Sequence, residues 1–143
     1  MKRTADAHWT GSLKDGNGTL DMQSGVFSGQ PYTFKGRFVD ETGQSGTNPE
    51  ELIAAAHAGC FAMQLAHFLA ENSTPPDRLY VQAAVELIPG SGIMGSVLTV
   101  RASVPGIDAA KFHELAAKAK DECPVSKALG AISVTLDATL NEK

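Results

Sequence analysis

Cysteine is scarce in this chain, with Cys60 and Cys123 the two thiols in 143 residues. A pair that small cannot build the disulfide framework that staples small exported domains, which leaves a redox pair or two structural thiols. Long apolar runs are missing too. The longest is LIAAA, Leu52 to Ala56, and the basic residues of MKRTADAHWTGS have no apolar segment behind them. Neither a signal peptide nor a membrane span is expected, and the expected location is cytoplasmic. Basic residues are few and scattered: twelve Lys and Arg against sixteen Asp and Glu give a net charge of -4. That leaves no broad basic face for phosphates, so nucleic acid is not an expected partner, and neither is a membrane. Repeats and low-complexity segments are absent as well. What remains is a chain of 43% hydrophobic content, the size of one ordinary domain spanning residues 1–143.

Most of the glycines fall before Asn48, while the longer helical patterns come after it. Residues 1–47 therefore read as a β-meander and residues 48–143 as helix, hairpin, helix and strand, an α+β class with antiparallel sheets around a long central helix. In the first part, DGNG at Asp15 to Gly18 separates AHWTGSL from TLDM as a hairpin turn would. PYTFKGRF, Pro31 to Phe38, alternates Tyr32, Phe34 and Phe38 against Thr33, Lys35 and Arg37, which predicts a strand carrying Arg37 on its polar side. In the second part, Asn48 is an N-cap, Pro49 a first helical residue and Glu51 a capping-box partner, so a helix starts there and runs to about Asn72. Tyr80 to Ile88 and Ser96 to Val104 predict a second hairpin. A helix from near Asp108 carries Phe112, Leu115, Ala116 and Ala119 on one face, PVSKAL makes a short helical turn, and AISVTLDATL alternates as a closing strand.

From Leu52 to Ala70 the central helix is apolar on nearly every side, which predicts burial all round. Its polar residues fall on one narrow stripe. At about 100° per residue, Glu50, Gln64, Glu71 and His67 lie within roughly 80° of His57, and Cys60 falls inside the same stripe. A thiol that merely fills core space has no reason to sit on the polar line, so Cys60 is expected to face a cleft or a subunit seam.

Reactivity requires the thiolate, and an ordinary cysteine near pKa ~8.5 is mostly protonated at neutral pH. Cys60 lies too far along its helix for the dipole to help, so a cation is needed. His57 is one candidate. Arg37 is the better one, because it stays charged and offers a rigid fork of donors, and a carboxylate such as Glu50 can aim that fork. Ten residues of helix separate Glu50 from Cys60 by roughly 15 Å. If Arg37, Glu50 and Cys60 form one site, two subunits contribute to it.

TNPEELIAAAHAGCFAM at Thr47 to Met63 and KDECPVSKALG at Lys120 to Gly130, together with AHWTG, SGVFSGQPYTFKGRF, VPGIDAAKF and SVTLD, resemble the osmotically inducible protein C and organic hydroperoxide resistance (OsmC/Ohr) family. FKGRF and AAAHAGC are more similar to the osmotically inducible subgroup. The resemblance implies an OsmC-like intertwined homodimer and a thiol-dependent peroxidase with no metal or organic cofactor, active in stress defence. By motif, Cys60 would react with the peroxide, Cys123 would resolve it as a disulfide, Arg37 would stabilise the thiolate and Glu50 would hold Arg37. The substrate implied is an organic hydroperoxide, with hydrogen peroxide as an alternative, and the reductant a dithiol such as a lipoylated protein.

Blander assignments stand beside these. Cys60 and Cys123 fit a buried core, His57 and His67 fit a surface or dimer seam, and Arg37 and Glu50 fit ordinary surface charge. A metal site of His57, Cys60 and His67 would be one ligand short of a common zinc pattern. Phe61, Met63 and Met94 are candidates for an apolar substrate pocket. The alternative function is a dimeric small-ligand or metal-binding stress protein whose cysteines do no chemistry.

Overall fold

A computed structural model describes residues 1–141. Two compact units divide the chain, Met1–Leu52 and Ile53 onwards, with the boundary inside the long helix. In the first unit, strands β1 (Ala5–Thr10), β2 (Asn17–Met22) and β3 (Gln30–Thr33) form an antiparallel meander in that order. Gly18 sits where a Cβ would meet the His8 carbonyl and the rings of Trp9 and Tyr32, so glycine there lets the two rings close to 5.3 Å over the strand. The loop between β1 and β2 lies ahead of Asn17, so the turn begins earlier than DGNG predicts, and Gly18 belongs to the strand.

The predicted strand through FKGRF is corrected. β3 stops at Thr33, and Phe34–Phe38 is a single helical turn, α1. Thr33 ends the strand because its Oγ1 accepts the Gly36 N–H at 3.0 Å, an N-cap bond that starts a helix. Phe34 and Phe38 then stack at i,i+4 with centroids 4.9 Å apart. Arg37 therefore projects from a helix, not from a strand.

Helix α2 (Pro49–Glu71) begins as its sequence predicts, with the Glu51 N–H donating to Asn48 Oδ1 at 2.9 Å. Burial all round is corrected too. One face is buried, with Phe61, Leu65 and Leu69 fully enclosed, whereas Ala55, Ala56, Gly59 and Ala70 are exposed and Met63 is 76% exposed. The helix has the length and mean hydropathy of a membrane span. In this fold its buried face instead forms one wall of the core.

The rest of the second unit supplies the other walls. β4 (Arg78–Ile88) and β5 (Gly92–Ser103) form the expected hairpin, and β6 (Ser133–Leu140) joins β5. That last pairing is parallel, where antiparallel sheets were expected, because the chain crosses over through α3 (Ala109–Glu122) and α4 (Pro124–Ala128) before it returns to the sheet. Asp108 caps α3 by accepting the Lys111 N–H at 2.9 Å, and Phe112, Leu115, Ala116 and Ala119 are its buried face, as their spacing predicts. They pack with Phe61, Leu65, Leu98, Val100 and Cys123 in one cluster.

Candidate active site

Four residues were singled out for chemistry, and the structure assembles them as two pairs. The first pair lies in the N-terminal unit. Arg37 donates from Nε to Glu50 Oε2 at 3.2 Å and from Nη2 to Oε1 at 2.8 Å, the two-pronged geometry that fixes a guanidinium in direction as well as place. Glu50 is 9% exposed and sits in the first turn of α2, where the helix dipole favours its charge. The guanidinium also lies 4.8 Å from the Phe38 ring centroid. Beside it opens a cleft of about 270 Å³ walled by Trp9, Leu13, Tyr32, Thr33, Phe34 and Phe38, mostly apolar.

The second pair lies in the other unit. Cys60 and Cys123 are both free thiols, and their Sγ atoms are 3.1 Å apart. Cys60 comes from mid-helix α2, and Cys123 from the junction where α3 ends and Pro124 starts α4. Burial pushes the Cys60 thiol up, the contact with Cys123 adds to this, and the Val125 N–H opposes it. Burial also acts against the Cys123 thiolate, but there the hydrogen-bonding groups of α4, led by the Ser126 N–H, together with the Cys60 thiol, outweigh it and hold Cys123 below its ordinary value. Among the described residues of the second unit, the groups that act on the Cys60 thiol are Cys123 and the Val125 N–H, with no cation among them.

His57 was expected at a surface or seam. It is fully buried, with Nδ1 2.8 Å from Ser96 Oγ and Nε2 2.8 Å from Ser126 Oγ. Both ring nitrogens are thus occupied, and burial holds the ring below its ordinary value of 6.5, so it is neutral at neutral pH. Ser96 and Ser126 had no signal in the sequence, since they lie 39 and 69 residues from His57. At the far end of the polar stripe His67 lies 3.5 Å from Glu71 in an exposed pair. No cluster of three or more His, Cys, Asp or Glu able to hold a metal occurs among the described residues. Of the candidates for an apolar pocket, Phe61 belongs to the core, and Met63 and Met94 are exposed.

The family model for OsmC-like proteins matches residues 42–137. The chain belongs to the OsmC/Ohr family. Among OsmC/Ohr proteins, it is 45% identical to the peroxiredoxin OsmC of Escherichia coli over 98% of this chain and 97% of that one. It is 38% identical to an organic hydroperoxide resistance protein of Xanthomonas axonopodis, over 70% of this chain and 72% of that one. The OsmC/Ohr fold is matched in the crystal structure of the organic hydroperoxide resistance protein OhrB of Bacillus subtilis, with a TM-score of 0.66 and 28% identity over 95% of this chain and 98% of the other.

Proposed function

We propose that this chain is a two-cysteine peroxidase that reduces organic hydroperoxides in stress defence. The observation that carries the proposal is the 3.1 Å approach of two free thiols from distant parts of the chain. The Cys60 thiolate attacks the terminal peroxide oxygen, the O–O bond breaks, and the alkoxide leaves and takes up a proton as alcohol, with Cys60 now a sulfenic acid. Cys123 then attacks the Cys60 sulfur, the S–O bond breaks, and hydroxide leaves as water after protonation. A dithiol reductant, for which a lipoylated protein is the chemical model, opens the disulfide by exchange. Relatives named peroxiredoxin OsmC and organic hydroperoxide resistance protein support this reading.

A second copy of the chain is part of the proposal. No hydrophobic residue before Phe61 belongs to the core among the described residues, and every residue of β1 is exposed. A three-stranded sheet without a core needs a covering partner. The exposed apolar face of α2 makes the same demand, and the Cys60 thiolate needs a cation, which the Arg37–Glu50 pair of a symmetry mate would supply. The apolar cleft beside Arg37 suits an alkyl chain better than hydrogen peroxide. The test is turnover with a dithiol on an alkyl hydroperoxide and on hydrogen peroxide, alongside the solution mass. Faster consumption of the alkyl substrate by a dimer supports the proposal. A monomer that turns over neither peroxide contradicts it.

A further inference from the structure

His57 and its two serines take no part in the cycle just described, yet they hold some of the most buried polar atoms in the second unit. A neutral imidazole has one donor and one acceptor nitrogen. In the tautomer that carries its proton on Nε2, Nδ1 accepts from Ser96 and Nε2–H donates to Ser126 Oγ, both at 2.8 Å. The hydroxyl proton of Ser126 must then point elsewhere. Ser126 stands three residues beyond Cys123 in the first turn of α4, and its hydroxyl is among the groups that stabilise the Cys123 thiolate. Cys123 in turn is 3.1 Å from Cys60. His57 thus bridges Ser96 and Ser126, Ser126 stands three residues from Cys123 in the helix that Cys123 caps, and Cys123 meets Cys60.

We propose that His57 carries its proton on Nε2 and that Ser96, His57 and Ser126 are positioning residues for Cys123, so that the Ser126 hydroxyl proton turns toward Cys123 Sγ and favours the thiolate that attacks oxidised Cys60. The proposal rests on the peroxidase reading for its purpose, but not for its test. In the attack, a Cys123 lone pair forms the S–S bond, the Cys60 S–O bond breaks with its electron pair on oxygen, and that hydroxide takes a proton from solvent to leave as water. The proton that Cys123 lost had gone to solvent, so protons balance and His57 stays neutral. When a dithiol later opens the disulfide, the same chain stabilises Cys123 as leaving group, and a stabilised thiolate leaves faster. The titratable groups facing Cys123 are Cys60 and, through Ser126, His57. Hydrogen bonds rather than ionised side chains oppose the effect of burial on it.

The test needs no peroxide. In a Cys60→Ser background, the absorbance of the Cys123 thiolate is followed against pH, with the Cys60→Ser, Cys123→Ser protein as blank. Adding Ser126→Ala should raise the midpoint by about one pH unit, a tenfold loss of thiolate at a given pH below it. Ser126→Thr, which keeps the hydroxyl, should restore the parent midpoint. His57→Phe, which keeps a ring in the core but no hydrogen bonds, should raise it in the same direction. An unchanged midpoint in either Ser126→Ala or a folded His57→Phe overturns the proposal, and so does a rise with Ser126→Thr as large as with Ser126→Ala. Failure of the peroxidase reading would show separately, as a Cys60 that hydroperoxide does not oxidise.

Discussion

Cys60 Sγ lies 3.1 Å from Cys123 Sγ across 63 residues of chain, one on the long helix α2 and the other at the hinge between α3 and α4. The sulfenic acid formed on one sulfur would be within reach of the other with little movement. The two thiols are nevertheless unequal: burial raises Cys60, while the hydrogen-bonding groups around α4 and the Cys60 thiol hold Cys123 down.

The roles proposed for the two thiols predict distinct variants. Cys60→Ser should abolish turnover of organic hydroperoxide. Cys123→Ser should consume one equivalent and stall with Cys60 oxidised, as measured by substrate loss under single-turnover conditions. Sustained cycling of Cys123→Ser with a dithiol would remove Cys123 from the resolving role.

Arg37 is expected to act on Cys60 through charge and aim. Replacing it by Met should lower the rate of peroxide consumption at pH 7 by roughly 10- to 1000-fold, the effect of one to three pKa units on a thiol. Glu50→Gln should cause a smaller loss, since it leaves the charge but weakens its anchoring. The distinguishing measurement is the pH profile. If the loss is in thiolate population, raising the pH must recover much of the Arg37→Met rate, and a deficit constant with pH would place Arg37 elsewhere in the mechanism.

His57 should make folding sensitive to acid. Its folded pKa is depressed below the ordinary 6.5 because it is buried neutral. As the pH falls through that ordinary value, the unfolded chain takes up a proton that the folded chain does not. Stability from this residue is therefore full above about pH 6.5 and falls below it, by up to about 1.4 kcal/mol per pH unit. Denaturant midpoints of the parent and of His57→Phe between pH 5 and 8 check the sign: the variant should lose less stability over that span.

The face of α2 can be read by two substitutions. Leu65 is fully buried, so Leu65→Ala should cost about 2–5 kcal/mol of folding stability. Met63, two residues away, is 76% exposed. Met63→Asp should leave the fold of the single chain near its parent and weaken self-association, measured by sedimentation. A dimer of unchanged affinity would show that this face is not the seam.

How much of this was legible depended on whether the signal was local. The buried face of α3 shows in the spacing of Phe112, Leu115, Ala116 and Ala119, and the start of α2 shows in Asn48, Pro49 and Glu51, because helix period and capping act within a turn or two. PYTFKGRF misled because Phe34 and Phe38 satisfy both a period of two and an i,i+4 contact. In so short a segment the Thr33 cap decides between them. Burial of α2 on every side was expected from composition, but a single small sheet and one helix enclose only the face of Phe61, Leu65 and Leu69. The partners of His57 were invisible, since no periodicity links it to Ser96 and Ser126. Sequence motifs identified the two cysteines; their contact is a product of tertiary structure.

The two-cysteine cycle is tested most directly by the intact mass and non-reducing peptide map of the reduced protein after one equivalent of an alkyl hydroperoxide. The cycle requires the loss of two hydrogens and a crosslinked peptide joining Cys60 to Cys123, formed within seconds. An unchanged mass after minutes, with both thiols still free, would contradict it and leave the two cysteines as structural neighbours.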